Sequence, residues 1–427
     1  MANAIAISRR SLVKSGVASA AGMALVACGG GASESDEVSS PSLASDLGRE
    51  QAQATPTAVF TSDWTATLGS TSAGGALLKY GAPVNSINTE AYILDPKGNS
   101  GGAAVKSEGQ SYGMMLAVLN NQPDMFKKLW TWVKNHMLHG SAEFKGRLAW
   151  LCRAEFTAGW KAIQTQSAPD GEIWMATALL MAGKKWNIVE YTTAGNAMCN
   201  VMLEDRTNNA AGSNYGSSGN VPFFQNNVIR FVPQSWSTYT DPSYAAPGFF
   251  SYLAGAHNNG TQGARWNAIE TAHRKLLVDA AAVNTQGICA EFTHFNGTPY
   301  NNSVHFADAW RVTMMQVLDK MWTGNTSHNA KIKSAVDFFA QVNYTLNQHI
   351  PQSMPLSAPT YTGSTFDDYG QMAMYSTASL AGITSAQKFV TRITDAPSLG
   401  YTETGYYPGL LCLLALAMHS GKFGRPL

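Results

Sequence analysis

The sequence predicts an all-α fold, a closed toroid of helical hairpins, and three observations carry that expectation. Apolar residues recur at helical spacing in Gln110–Asn120, Asp124–His136, Ile173–Lys184, Thr192–Leu203, Gly248–Ala256, Arg265–Val283, Ala307–Lys320, Ala330–His349, Gln371–Ala381 and Gly409–His419. No long run alternates apolar with polar residues, as a half-buried strand would. No segment repeats at a fixed period, which disfavours an open α-solenoid, the rival architecture. These helices, with the less regular region before Gly109, approach the number that six closed hairpins, an (α/α)6 barrel, would need. Stretches such as Asn208–Asn220 and Asn258–Gly263, rich in Gly, Asn and Ser, read as loops between them.

Ahead of the helices, the chain carries Ser8-Arg9-Arg10-Ser11-Leu12-Val13-Lys14 and a weakly apolar run ending at Leu25-Val26-Ala27-Cys28. Paired arginines before a modest apolar stretch fit export by the twin-arginine route, and small residues before a cysteine resemble the lipobox of bacterial lipoproteins. Residues 1–28 are therefore expected to be a signal and Cys28 a lipid anchor, holding the exported protein in the periplasm or at the cell surface. Residues 29–57 are mostly Gly, Ser, Ala, Asp and Glu, with too little apolar surface to bury, and read as a flexible tether. No later segment reaches roughly 18 apolar residues without polar interruption, so the membrane is met through the anchor alone. Residues 58–427 contain no Pro/Gly/Ser-rich break and are expected to form one domain, and a monomer.

Only 13% of residues are charged and the formal net charge is +1, so nucleic acid is not an expected partner. Eleven Trp and sixteen Tyr suit a carbohydrate groove, because pyranose rings offer apolar C–H faces to aromatic planes. Packing in the core is the competing role for each of them. With Cys28 set aside, Cys152, Cys199, Cys289 and Cys412 show neither C-x-x-C spacing nor a His cluster, so no metal site and no cofactor are expected. A twin-arginine substrate folds in a reducing compartment, and buried free thiols are preferred to disulfides.

Three acid-bearing segments stand out. Glu108, in Lys106-Ser107-Glu108-Gly109-Gln110-Ser111-Tyr112-Gly113-Met114-Met115, lies at the mouth of a helix with small neighbours that let a ligand approach. Such an acid equally suits the positive end of a helix dipole. Asp170 and Glu172 follow Pro169 in what reads as a Pro-Asp-Gly turn. Asp308 and Arg311 are three residues apart, share one helix face and can pair, and the flanking Phe306, Trp310 and Val312 suggest burial over a surface salt bridge. A carboxylate beside a guanidinium stays ionised, as a general base must.

The Ser-Glu-Gly-Gln-Ser-Tyr-Gly-Met string, Ala168-Pro169-Asp170-Gly171-Glu172, Thr240-Asp241-Pro242-Ser243-Tyr244, Asp308-Ala309-Trp310-Arg311 and Gly405-Tyr406-Tyr407-Pro408-Gly409-Leu410-Leu411 occur in the order that resembles glycoside hydrolase family 8, from about Tyr80 onward. The resemblance implies an (α/α)6 barrel with a substrate groove across one end. It implies Glu108 as general acid, Asp308 as general base, Asp170 as a substrate-binding acid, Tyr244 beside the attacking water and Arg311 orienting the base. An inverting hydrolase keeps its acid and base ~6.5–9.5 Å apart so that water fits between base and sugar. Trp130, Trp132, Trp150 and Trp174 are candidate sugar platforms.

Leu148-Ala149-Trp150-Leu151-Cys152 and Phe231-Val232-Pro233 are similar to the xylan-degrading branch, which points to β-1,4-xylan or xylo-oligosaccharides as substrate. Ile173-Trp174-Met175 and Ala245-Ala246-Pro247 depart from that branch, leaving open reducing-end trimming, internal cleavage and β-1,4-glucan as alternatives. A surface glycan-binding lipoprotein without catalysis would not need Glu108, Asp170 and Asp308 together. A polysaccharide lyase would want a basic cluster for uronic acids, which the chain lacks.

Overall fold

A computed structural model of the chain describes residues 60, 64, 78–80, 89–98, 102–140, 146–155, 159–204, 220–345, 350–357, 369–395 and 405–426. The export segment, Cys28 and all of the tether lie outside them, as do most of the loop predicted at Asn208–Asn220 and residues 346–349 of a predicted helix.

Eleven α-helices occur among the described residues: α1 (Ser107–Leu119), α2 (Pro123–His136), α3 (Pro169–Trp186), α4 (Val189–Met202), α5 (Pro247–Ala256), α6 (Gly263–Ala281), α7 (Arg311–Thr323), α8 (Asn329–Thr345), α9 (Tyr369–Ser376), α10 (Gln387–Asp395) and α11 (Tyr406–His419). The odd-numbered helices touch one another in turn, and α11 returns to pack on α1, so the ring closes. Outside it, α2, α4, α6 and α10 each lie against the inner helix that precedes or follows them, and α8 meets the 3₁₀ turn Thr377–Ala381 that ends α9. This is the all-α toroid that the helical spacing predicts.

Composition explains which helices line the ring. Every residue of α1 is buried, as is Pro169–Gly183 of α3, and beyond their first turns these stretches are apolar or small on all sides. By contrast α2 is two-faced: Met125, Phe126, Leu129, Trp130, Trp132 and Val133 face inward and its lysines face out. Pro opens α2, α3 and α5 at a position where its missing N–H costs nothing. Left-handed Asn187 stops α3, and left-handed Gly324 stops α7.

The ring has two distinct ends. Residues at the starts of α1, α3, α7 and α11 converge on one another at the first end. At the other, Lys185 of α3 donates to the Val118 carbonyl of α1 at 2.7 Å, and Trp322 of α7 donates to the Phe423 carbonyl beyond α11 at 3.0 Å.

Three sequence expectations need correction. A three-stranded antiparallel sheet is present, β3 (Ala104–Lys106), β4 (Leu151–Glu155) and β5 (Gly159–Gln164), after the short pair β1 (Leu78–Tyr80) and β2 (Ala91–Ile93). These strands run three to six residues, too short for alternation to register. Pro169-Asp170-Gly171 is no free turn but the first turn of α3. Helix α10, nine residues long, escaped notice although Phe389, Val390 and Ile393 give it a buried side.

Cys152, Cys199, Cys289 and Cys412 are free and buried. Burial pushes the Cys152 and Cys289 thiols up to about 12, leaving them unreactive packing residues. No helix among the described residues is long and apolar enough to cross a membrane.

Hairpin α3–α4 depends on a close approach at Gly183, where a Cβ would stand 2.8 Å from the Thr192 backbone nitrogen. Gly183→Ala is expected to lower stability by about 1–3 kcal/mol through overpacking, read as a shifted urea midpoint with an unchanged slope.

Candidate active site

The first end of the ring is organised by one side chain. Arg311, the first residue of α7, is wholly buried. Its Nη1 donates to Glu108 Oε1 at 2.9 Å and to the Tyr112 hydroxyl, and reaches Asp170 Oδ2 at 3.4 Å. Its Nη2 donates to Ser243 Oγ at 2.7 Å, and lies 3.0 Å from Asp308 Oδ1 and 3.9 Å from Asp241 Oδ2. The rings of Tyr407 and Tyr244 flank the guanidinium at 5.8 and 6.0 Å. Burial alone would disfavour the charged guanidinium, but the oxygens of Tyr112, Tyr407, Asp308 and Glu108 outweigh it and hold Arg311 well above the ordinary arginine value.

Each carboxylate arrives on a short, stiff piece of backbone. Glu108 is the second residue of α1, and β3 leads directly into that helix. Asp170 is the second residue of α3, where its Oδ1 accepts the Gly171 N–H at 2.9 Å. Gly171 is needed here, since a Cβ on it would lie 3.1 Å from the Ser107 carbonyl carbon. Asp241 caps the 3₁₀ turn Pro242–Tyr244 by accepting the Ser243 N–H at 2.7 Å. Asp308 sits in the 3₁₀ turn Ala307–Trp310 that runs into α7, so its pairing with Arg311 spans the three-residue spacing expected from sequence.

The backbone before Asp308 is strained. Ala307 has a φ of +38°, a region in which a non-glycine residue is uncommon. Strand pairing of His305–Phe306 with Ser353–Met354 holds it there. A buried chain also anchors this point: His305 Nδ1 lies 2.9 Å from the Cys289 carbonyl and its Nε2 lies 2.9 Å from the Tyr375 hydroxyl. Burial drives His305 down to about 4, so it is neutral, with Nδ1–H donating and Nε2 accepting. From α11, the Tyr407 hydroxyl comes within 3.4 Å of both Asp308 Oδ1 and the Ala307 carbonyl.

Thus Glu108, Asp170, Asp308, Arg311 and Tyr244 come together, 6%, 2%, 6%, 0% and 2% exposed, which rules out a surface salt bridge for Asp308 and Arg311. Arg311 does not serve Asp308 alone, because it binds Glu108 as closely. Glu108 and Asp308 occupy opposite nitrogens of one planar guanidinium, which caps their nearest-oxygen separation at roughly 8 Å. Tyr112, Asp241, Ser243 and Tyr407 are additions to the set expected from sequence. Each lies inside a motif already singled out, one to four residues from a residue of interest or, for Tyr407, at the entry to α11. Asp241 is fully buried, and burial, then the charge on Asp308, pushes its carboxyl well above the usual range.

The tryptophans do not offer open sugar platforms. Trp174 is enclosed edge-on by Tyr112 and Phe249, and Trp132 is fully buried against Tyr92 and His136. Trp130 is buried on the outer helix α2. Trp150 adjoins the site through its carbonyl, which accepts the Ser107 N–H, but its ring is 5% exposed and its indole N–H donates to Gln164 at 2.7 Å. Close packing against helices and, for Trp132 and Trp150, against strand residues took these rings up. Among the described residues no cluster of three or more His, Cys, Asp or Glu is arranged to hold a metal ion.

Removing the guanidinium exposes its role. Arg311→Met is expected to destabilise the fold by about 3–5 kcal/mol at neutral pH, because buried carboxylates lose their cation. That loss should shrink in urea melts at lower pH. A second test concerns Glu172, buried one turn into α3 with Oε1 accepting the Leu148 N–H at 3.0 Å. Burial raises it from 4.5 to about 7. The folded state then holds this proton more tightly than the unfolded state, so its contribution is complete below pH 4.5 and is lost as pH rises through 7. Glu172→Gln should remove a decline on the order of 3 kcal/mol across that window, seen as a flatter stability curve against pH.

Residues 86–421 match the family model for glycosyl hydrolases family 8. The chain is 27% identical over 344 residues to the reducing-end xylose-releasing exo-oligoxylanase Rex8A of Paenibacillus barcinonensis, covering 78% of this chain and 84% of that one. It is 31% identical over 199 residues to an endoglucanase of Escherichia coli (strain K12), covering 46% of this chain and 48% of the other. Its fold is similar to that of Rex8A complexed with xylose, with a TM-score of 0.73 at 23% identity over 87% of this chain and 94% of that one. A xylobiose complex from Teredinibacter turnerae gives 0.73 at 25% identity over 86% and 93%. The ring of six inner helices is therefore the (α/α)6 barrel, and the chain belongs to glycosyl hydrolases family 8.

Proposed function

We propose that the chain hydrolyses β-1,4-xylosidic bonds of xylan or xylo-oligosaccharides with inversion, Glu108 supplying the proton to the leaving oxygen and Asp308 taking one from water. The observation that carries the substrate is the extent of the likeness to exo-oligoxylanases, 84% of the length of Rex8A against 48% of the endoglucanase. The shorter match has the higher identity, which keeps a β-1,4-glucan as the second reading. Release of xylose from the reducing end is the mode named for three relatives and the first mode to test here.

In this mechanism the sugar lies across the ends of α1, α3 and α7. Glu108 protonates the glycosidic oxygen while water, held by Asp308 beside Tyr244, attacks the opposite face of the anomeric carbon. Arg311 ties both carboxylates to one rigid group, so neither has to be positioned during the reaction. Asp170, on the same guanidinium nitrogen as Glu108, is placed to bind hydroxyls of the sugar being cleaved. Export by the twin-arginine route and anchoring at Cys28 complete the proposal, supported by the sequence of residues 8–28.

Glu108→Gln and Asp308→Asn should each cut turnover of xylo-oligosaccharides by roughly 10²–10⁴-fold with the fold intact; unchanged turnover would refute the assignment of roles. Proton NMR of the first product should show the α-anomer from a β-linked substrate, and a β-anomer would exclude inversion. A panel of xylan, xylohexaose, carboxymethyl cellulose, mixed-linkage glucan and chitosan separates the two substrates, faster glucan cleavage favouring the second.

A further inference from the structure

The end of the ring opposite the carboxylates has a charge of its own. There α1 and α3 finish at Leu119 and at Lys184-Lys185-Trp186, and the chain after α11 folds back through Lys422 and Arg425. A cavity of about 320 Å³ opens between them, with Val118, Leu119 and Met181 as an apolar floor and Lys184, Lys185 and Lys422 at its rim. A second cavity of about 600 Å³ shares Lys184 and adds Arg425.

Cations near helix C-termini are favoured by the negative end of the helix dipole, which accounts for one lysine per helix. It does not account for three lysines around a single apolar hollow. None of the three takes part in an ion pair among the described residues. Glu270, which feels the charge of Arg425, pairs with Arg274, as does Asp319. Lys185 and Lys422 are near enough for mutual repulsion, which with burial lowers the Lys185 pKa. A bound anion would relieve that repulsion.

One further observation says which anion. Phe60, the first described residue, is buried, and Lys422 Nζ stands 5.4 Å from its ring. A Gly/Ser-rich tether running from Cys28 to Phe60 would join the fold at this basic end, and one of that length would span roughly 30 Å.

We propose that Lys184, Lys185 and Lys422 form a membrane-facing surface that seats anionic phospholipid headgroups over the apolar floor, turning the carboxylate end of the barrel away from the bilayer. The inference rests on the reading of Cys28 as a lipid anchor for its biological setting, but the surface can be tested without acylation.

Full-length chain carrying Cys28→Ser is sedimented with vesicles of phosphatidylcholine containing phosphatidylglycerol, and with vesicles of phosphatidylcholine alone. Binding should favour the anionic vesicles and weaken with salt, and the Lys184→Gln/Lys185→Gln/Lys422→Gln variant should lose about a hundredfold in partition, at roughly fivefold per lysine. Turnover of soluble xylo-oligosaccharides should not change. Lys184→Glu alone, an exposed side chain with no hydrogen bond to lose, should reproduce part of the effect should the triple variant fold poorly. Equal partition onto both vesicles, or full binding by a folded variant, overturns the proposal. So does displacement by inorganic phosphate with saturable phosphate binding in the absence of vesicles, which would mark a site for the free ion. Mass analysis of Cys28 from membranes tests the anchor separately: an unacylated cysteine removes the anchor and leaves the vesicle result standing.

Discussion

Everything at the working end of this barrel turns on one buried guanidinium. Glu108, Asp170, Asp241 and Asp308 come from four separate stretches of chain and meet at Arg311. Without that cation, four carboxylates could not share so dry a space. Even with it, negative charge is in excess, and burial with the charge on Asp308 pushes the Asp241 carboxyl well above the usual range. A buried ionic cluster of this kind adds little to net stability against an apolar core. What it supplies is geometry, since a planar fork with fixed nitrogens sets where the carboxylates sit relative to one another.

Helix direction supports the same arrangement. Glu108 and Asp170 occupy first turns, where unpaired N–H groups and the positive dipole end favour an anion. Asp308 gains its position differently, from the strained Ala307 and the neutral His305 beside it. Strain of this sort persists only where neighbours over-determine the backbone, and here a strand pair, a buried histidine and Tyr407 all do so.

How far the sequence could be read depended on how local each signal was. The pairing of Asp308 with Arg311 was legible because three residues on a helix fix it. The equally close pairing of Arg311 with Glu108 spans 203 positions and has no local signature. Helical spacing revealed the long helices and the toroid, and hid α10 and the strands β3–β5, which are too short for a period to emerge. Aromatic content pointed to a sugar groove, yet Trp174 and Trp132 are spent in the core. A count of rings says nothing about which face of a helix each one occupies, and in a barrel whose inner helices are buried on all sides most faces are interior. Asp241 lies 67 positions from Asp308, and only the fold brings its carboxyl within reach of that charge.

Closure of the ring has a consequence for the order of events. The last inner helix, α11, is the one that docks against the first, and it brings Tyr406 onto Gly109 and Tyr407 onto Asp308. Contacts of such sequence separation form late and slowly. Residues 405–419 supply the hydroxyl that meets Asp308 and the aromatic wall beside Arg311. Hydrolysis thus doubles as a certificate of finished folding: a chain that cuts sugar is one whose first and last inner helices have already met.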